Sequence, residues 1–158
     1  MTLLNKNTIA LWLACVFFFA VGAQADEYKK APVLDIYTQE CASCHMAYPP
    51  DLLPVASWQR IMDTLDKHYG VDATLDKSSL QKIKNWLSIH ADKSSQAKSE
   101  PPKDRITLSK WFLRKHNSKE ISASVWKRAS IGSPANCNAC HVNAAQGDFN
   151  EDNIRIPK

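Results

Sequence analysis

Apolar and polar positions follow three regimes along the chain. The first is an unbroken apolar run from Ile9 to Ala20, preceded by Lys6, free of acidic residues and followed by the small-x-small sequence Ala23-Gln24-Ala25. A basic start, a short apolar core and a small-residue cleavage site make residues 1–25 a secretory signal peptide cut before Asp26, and the run is too short for a comfortable membrane span. The second regime is helical periodicity. Val33 to Cys44 is compatible with a helix, and Tyr48-Pro49-Pro50-Asp51-Leu52-Leu53-Pro54 must be irregular. A helix is expected from Ser57, with Trp58, Ile61, Met62, Leu65 and His68 on one apolar stripe and Gly70 as its C-cap. Another is expected from about Lys77 to His90, with Leu80, Ile83, Leu87 and His90 on one face. Further on, Leu108, Trp111, Phe112 and His116 form a stripe, and Ile121, Val125, Trp126 and Ala129 continue helically. Ser133-Pro134 is an N-cap and first-turn pair for a last helix that Gly147 can end. The third regime is polar: Asp92 to Asp104 holds no large apolar residue. The pattern therefore predicts a mostly α protein in two small helical halves, residues 26–93 and 105–158, joined by a polar linker at 94–104.

Composition and charge narrow the class. Hydrophobic residues make up 44% of the chain and glycine occurs four times, which suits helices and leaves little room for tight β-turns or phosphate-cradling loops. The formal charge of +4 falls by one when Lys6 leaves with the leader. No like-charge run exceeds a few residues, so a nucleic-acid-binding tail is excluded as the main function.

The cysteines change the picture most. Cys15 lies in the apolar run of the leader and is lost on cleavage; Trp12-Leu13-Ala14 is a poor lipobox, which argues against acylation there. The other four fall in two copies of one pattern, Cys41-Ala42-Ser43-Cys44-His45 and Cys137-Asn138-Ala139-Cys140-His141. In C-x-x-C-H, two thiols on one helical turn form thioethers to the two vinyl groups of one haem, and the adjacent His turns its imidazole to the iron. Two disulfides or redox pairs, a four-cysteine zinc site and coincidence compete with this reading. None explains a His directly after each second cysteine. Two covalently bound haem c groups follow, held by Cys41, Cys44, Cys137 and Cys140, with His45 and His141 as proximal iron ligands.

The far side of each iron decides between a carrier and a catalyst. The remaining candidates are His68, His90, His116, Met46 and Met62. Met46 follows His45 directly and reaches the opposite face with difficulty, so it is expected to pack beside the haem. No His or Met follows His141, so the second haem takes a ligand from upstream or stays open. His68, His90 and His116 each sit on an apolar helix face, where either a ligand or a hydrogen-bonded core histidine belongs. Two haems in so short a chain tilt the balance toward ligands. Met62, on the stripe of His68, is the alternative for the first haem, though methionine is common in ordinary cores.

The run Tyr37 to Pro54, with Ser57-Trp58 and His68-Tyr69-Gly70, resembles the bacterial dihaem cytochrome c family, and His-Met-Ala-Tyr-Pro-Pro after the first motif is more specific than the motif itself. The resemblance continues through Ile106-Thr107, Trp111-Phe112, His116, Ala135 to His141, Gln146-Gly147-Asp148 and Ile154 to Pro157. It implies a periplasmic electron-transfer protein with two low-spin bis-histidine haems, its first half similar to class I cytochrome c. His68 and His116 match the family's distal histidines, and His90 matches no motif position. Proximity in sequence favours His68 for the first haem and His116 for the second. The recurrent partner that the family implies is a small oxygen-binding monohaem cytochrome, with a membrane cytochrome b as electron source.

Bis-histidine ligation lacks the thioether donor that raises the potential of Met/His cytochromes, so both haems are expected at low potential. The reading is an electron carrier and not an enzyme. Its rivals are a dihaem peroxidase or small-molecule reductase with one open haem, a gas-binding module with a labile ligand, and a structural subunit of a membrane complex. Lys110, Arg114, Lys115, Lys119, Lys127 and Arg128 could steer an acidic partner, but they read equally as a solvated helix face.

Overall fold

The computed structural model describes residues 31–94 and 99–158. The expected signal peptide, with Cys15, and positions 95–98 of the expected linker lie outside the described residues. The described chain is helical, with five α-helices, several single 3₁₀ turns, and three isolated bridges in place of strands.

The first half is built on α1 (Asp35–Cys41), α2 (Val55–Asp63) and α3 (Lys77–His90). The longest of these, α3, spans the range its sequence predicts. The Asp76 side chain accepts from Ser78 N and Ser79 N and so satisfies two of the orphan donors at its start. Its inner face buries Ile83 and Leu87 completely against Tyr37 of α1, Trp58 and Met62 of α2, and Leu53. Trp58 can be buried because its indole N–H donates to the Pro50 carbonyl at 2.6 Å. The Tyr48–Pro54 stretch is irregular as expected, with one 3₁₀ turn at Pro50–Leu52. It is pinned at its end, where Asp92 N donates to Leu53 O at 3.0 Å.

Several boundaries differ from the pattern, each for a local reason. Helix α1 ends at Cys41, before Cys44. Helix α2 starts at Val55, two residues before Ser57, and stops at Asp63, so Leu65 and His68 are not on it. There the Thr64 hydroxyl donates back to Arg60 O at 2.8 Å and its backbone leaves the helical region. A 3₁₀ turn at Leu65–Lys67 follows, then a tight turn in which Val71 N donates to His68 O. Gly70, at φ +100°, serves that turn and caps no α-helix.

The second half has shorter elements. Helix α4 (Lys110–Lys115) is capped by Ser109, whose hydroxyl accepts from Phe112 N, and His116 is its C-terminal cap. Leu108 falls outside it in a preceding 3₁₀ turn. Helix α5 (Ala123–Trp126) is one turn long, so Ala129 does not continue it. The second C-x-x-C-H motif lies on a 3₁₀ turn, Cys137–Ala139, and not on an α-helix opened by Ser133-Pro134. Gly132, at φ +70°, turns the chain, and the Asn136 amide donates to Ile131 O, which holds the approach to the motif in a loop. Gly147, at φ +74°, ends the separate 3₁₀ turn Ala144–Gln146. Val125, Ile131 and Cys140 form a small second core, edged by Ile121, Trp126, Ala139 and Ile154.

The halves meet where Tyr48 donates its hydroxyl hydrogen to Ala135 O at 2.8 Å and where Ile106 packs against the first core; Arg60 on α2 pairs with Glu100 and Asp104 of the joining segment. Among the described residues no helix is long and apolar enough to cross a membrane.

Candidate haem sites

The end of α1 and the turn after it bring Cys41, Cys44 and His45 together. Cys41 is half-buried and Cys44 exposed. Burial, with Glu40 adding, pushes the Cys41 thiol up to about 11. The His45 Nδ1–H donates to the Met46 carbonyl at 2.7 Å, which fixes the ring and leaves Nε2 as the free lone pair. Tyr48 packs against this ring at 4.9 Å between centroids. The turn after α2 then places His68 opposite, its ring centroid 6.2 Å from that of His45 and the planes 29° apart.

The second site repeats this arrangement with different elements. Cys137 opens the 3₁₀ turn and Cys140 caps it, with His141 next, and burial raises both thiols. The His116 Nδ1–H donates to Phe112 O at 3.1 Å, one turn back on α4, and its ring stacks on Phe112 at 4.0 Å. His116 and His141 lie opposite each other with centroids 6.1 Å apart and planes steeply inclined at 64°. Phe149 and Trp126 close the sides, 5.3 Å from His141 and 6.1 Å from His116.

A centroid separation near 6 Å has the width of a metal held between two imidazoles. Two metal–nitrogen bonds of about 2 Å, as in Zn–N, plus roughly 1 Å from each nitrogen to its ring centre, give about 6 Å. Burial holds His68, His116 and His141 below the ordinary imidazole value. At His68 the neighbouring His45 and Arg105 add to burial; at His116 the Phe112 carbonyl opposes it; at His141 His116 adds and Asp148 opposes. The three rings are thus kept neutral, the form that offers a lone pair to a metal. Among the described residues the buried His141 Nδ1 has no hydrogen-bond partner. The donor set fits a haem at each pair.

The other candidates fall elsewhere. Met62 is buried in the first apolar core. Met46 is half-buried and lines a cavity of about 360 Å³ with Tyr37, Tyr48 and Trp86. His90 rests its ring on Trp86 at 5.4 Å. Among the described residues no three His, Cys, Asp or Glu side chains gather around a metal-sized point, so the four cysteines form no zinc cluster. Sequence reading assigned no role to Tyr48, Tyr69, Arg60, Asp104 and Arg105, which surround the first pair; nothing in sequence spacing joins Arg60 to a residue 44 positions away.

A family model for dihaem cytochrome c matches residues 37–149. No curated protein matches the chain. Among solved structures, the dihaem cytochrome type c of Shewanella baltica is 36% identical with a TM-score of 0.66, covering 77% of this chain and 91% of that one. A dihaem cytochrome c from Rhodobacter sphaeroides is 37% identical with a TM-score of 0.68, covering 77% of this chain and 100% of that one. The crystal structure of DHC purified from Rhodobacter sphaeroides is 39% identical at a TM-score of 0.65, over 75% and 99% of the two chains. Likeness on this scale, over a helical fold with two histidine-faced sites, places the chain in the dihaem cytochrome c family, with two covalently bound haem c groups as its cofactors.

Proposed function

We propose that the protein is an exported carrier of single electrons, with both haems ligated by two histidines. His45 and His68 hold the first iron and His116 and His141 the second, while Cys41, Cys44, Cys137 and Cys140 form the thioethers. The observation that carries this reading is the pair of facing imidazoles at 6.2 Å and 6.1 Å, built twice from unrelated elements. When bound, haem supplies the one-electron Fe(III)/Fe(II) couple. The chain's own residues do the rest: Met46 O and Phe112 O orient one ring of each pair, burial keeps His68, His116 and His141 neutral, and a ligand on each face leaves no position for substrate. With no acid–base group brought to an open iron, transfer without bond chemistry is the fitting role, and the histidine donors keep the potentials low.

The Tyr48–Ala135 hydrogen bond ties the ring beside His45 to the backbone two residues before Cys137. The two haem sites are therefore close, and electrons should pass readily between them. As a family member the protein has redox partners, and we assign as partners an oxygen-binding monohaem cytochrome c and, as donor, a membrane cytochrome b. The leader read at residues 1–25 places the mature protein, from Asp26, in the periplasm. Carbon monoxide added in stoichiometric amount to the reduced holoprotein tests the reading: an unchanged spectrum is expected, conversion needing a large excess, and a stoichiometric shift at either haem would favour an open or labile iron and hence an enzyme or gas-binding module.

A further inference from the structure

The four facing histidines are not held alike. His45 and His116 each donate Nδ1–H to a nearby backbone carbonyl. Neither ring nitrogen of His68 has a hydrogen bond among the described residues; its ring meets His45 on one side and the edge of Tyr69, at 4.9 Å, on the other. The orientation of His68 thus depends on what holds Tyr69, and Tyr69 is held from another part of the chain. Its hydroxyl donates to the carbonyls of Lys103 and Asp104 at 3.1 and 3.0 Å, and the Arg105 guanidinium lies 4.1 Å over its ring. Asp104 is in turn clamped by Arg60 of α2, Nε to Oδ2 at 3.0 Å and Nη2 to Oδ1 at 2.6 Å, and Arg60 reaches Glu100 at 2.6 Å.

Backbone conformation marks the same contact. Tyr69, Lys103 and Asp104 sit at φ +50°, +56° and +53°, and are the only non-glycine residues at positive φ among those described. Such conformations are costly for L-residues and persist where the surroundings over-determine them. All three lie on the two sides of one contact. A plain linker staple would need only Arg60 and Asp104; the hydroxyl bonds and the stacked guanidinium extend the fastening to the residue beside His68.

We propose that Glu100–Arg105 is a strap that positions His68 through Tyr69, so that the hold of the distal ligand on the first haem is set by the segment joining the two halves. The proposal rests on the reading of His68 as a ligand. Arg60, Asp104 and Tyr69 are positioning residues in it. The experiment titrates reduced holoprotein with carbon monoxide in the variants His68→Ala, Arg60→Gln, Arg60→Lys and Tyr69→Phe. Lys84→Gln is the control, since it removes a different ion pair anchored on α2, that with Asp63. His68→Ala should open one haem outright. Arg60→Gln and Tyr69→Phe should half-convert that same haem at no more than about a tenth of the concentration the parent protein needs, the scale of one lost charge-assisted or doubly accepted hydrogen bond. Arg60→Lys should recover most of the parent behaviour, and Lys84→Gln all of it. If His68→Ala opens a haem while both strap variants titrate like the parent, the strap is overturned and the ligand reading stands. Conversion of both haems together, or an equal effect of Lys84→Gln, would show general destabilisation and also overturn it. If His68→Ala leaves both haems closed, the ligand reading itself fails.

Discussion

A histidine at the C-terminal end of a helix meets two fates in this chain. His116 caps α4, is pinned by Phe112 O and faces a second imidazole; His90 ends α3 and lies on an indole. Replacing His116 with Ala should therefore turn one haem, and only one, high-spin and open to carbon monoxide, whereas His90→Ala should leave both low-spin. Optical and magnetic spectra of the two variants check this, and an open haem in His90→Ala would reassign the ligand. Both histidines are inward members of helical stripes in the sequence, which is why periodicity alone does not separate them. The order seen here comes from Phe112 and Trp126, whose rings wall the site, and from Trp86, which occupies the face of His90.

Among the elements, α3 was readable to the residue because its fourteen positions average over many apolar contacts and Asp76 marks its start. The shorter elements were not, because single side-chain bonds decide them. Thr64 ends α2 by bonding back to Arg60, and Asn136 with Gly132 keeps the second motif out of an α-helix. The consequence differs in size between the two kinds. Leu87→Ala, at a position 1% exposed in the first core, should cost about 2–5 kcal/mol in denaturant unfolding of the holoprotein. Ser109→Ala removes only the cap of α4 and should cost about 1 kcal/mol. The strap has its own pH dependence. The hydrogen bond from Arg60 is the largest effect holding the Asp104 carboxyl below its ordinary value of 3.8. Its contribution is fully present above that value and is lost as pH falls through the lowered one, so the segment should loosen only below about pH 4. Because Arg60 is half exposed, solvent and salt keep that contribution small; the Asp104→Asn variant should lack the acid transition when it is followed by hydrogen exchange at the Arg105 amide, which donates to Pro102 O.

At the scale of the whole molecule, the apolar core is unequal. The first half buries Leu53, Ile83 and Leu87 completely, but the second is organised on Val125, Ile131 and Cys140 with helices of six and four residues. So little buried surface is marginal for a stable fold, and the bound haem has to complete it. Protein made without haem attachment is expected to show no cooperative thermal transition, least of all in the second half. The pattern of hydrophobic residues did not reveal this dependence, since Leu108 and Ala129 look like core positions and are exposed; the C-x-x-C-H pairs did, because they name the missing core. The links between the halves were equally silent in sequence: Tyr48 reaches a backbone carbonyl 87 residues away, Arg105 lies over Tyr69, and Ile106 packs on the first core. The central claim is that two pairs of histidines close both irons. Near-infrared magnetic circular dichroism of the oxidised holoprotein addresses it directly, because the charge-transfer band reports the two axial donors of a low-spin ferric haem. Two haems with bis-histidine bands and no high-spin component are expected; a methionine–histidine band, or one high-spin haem, would contradict the account.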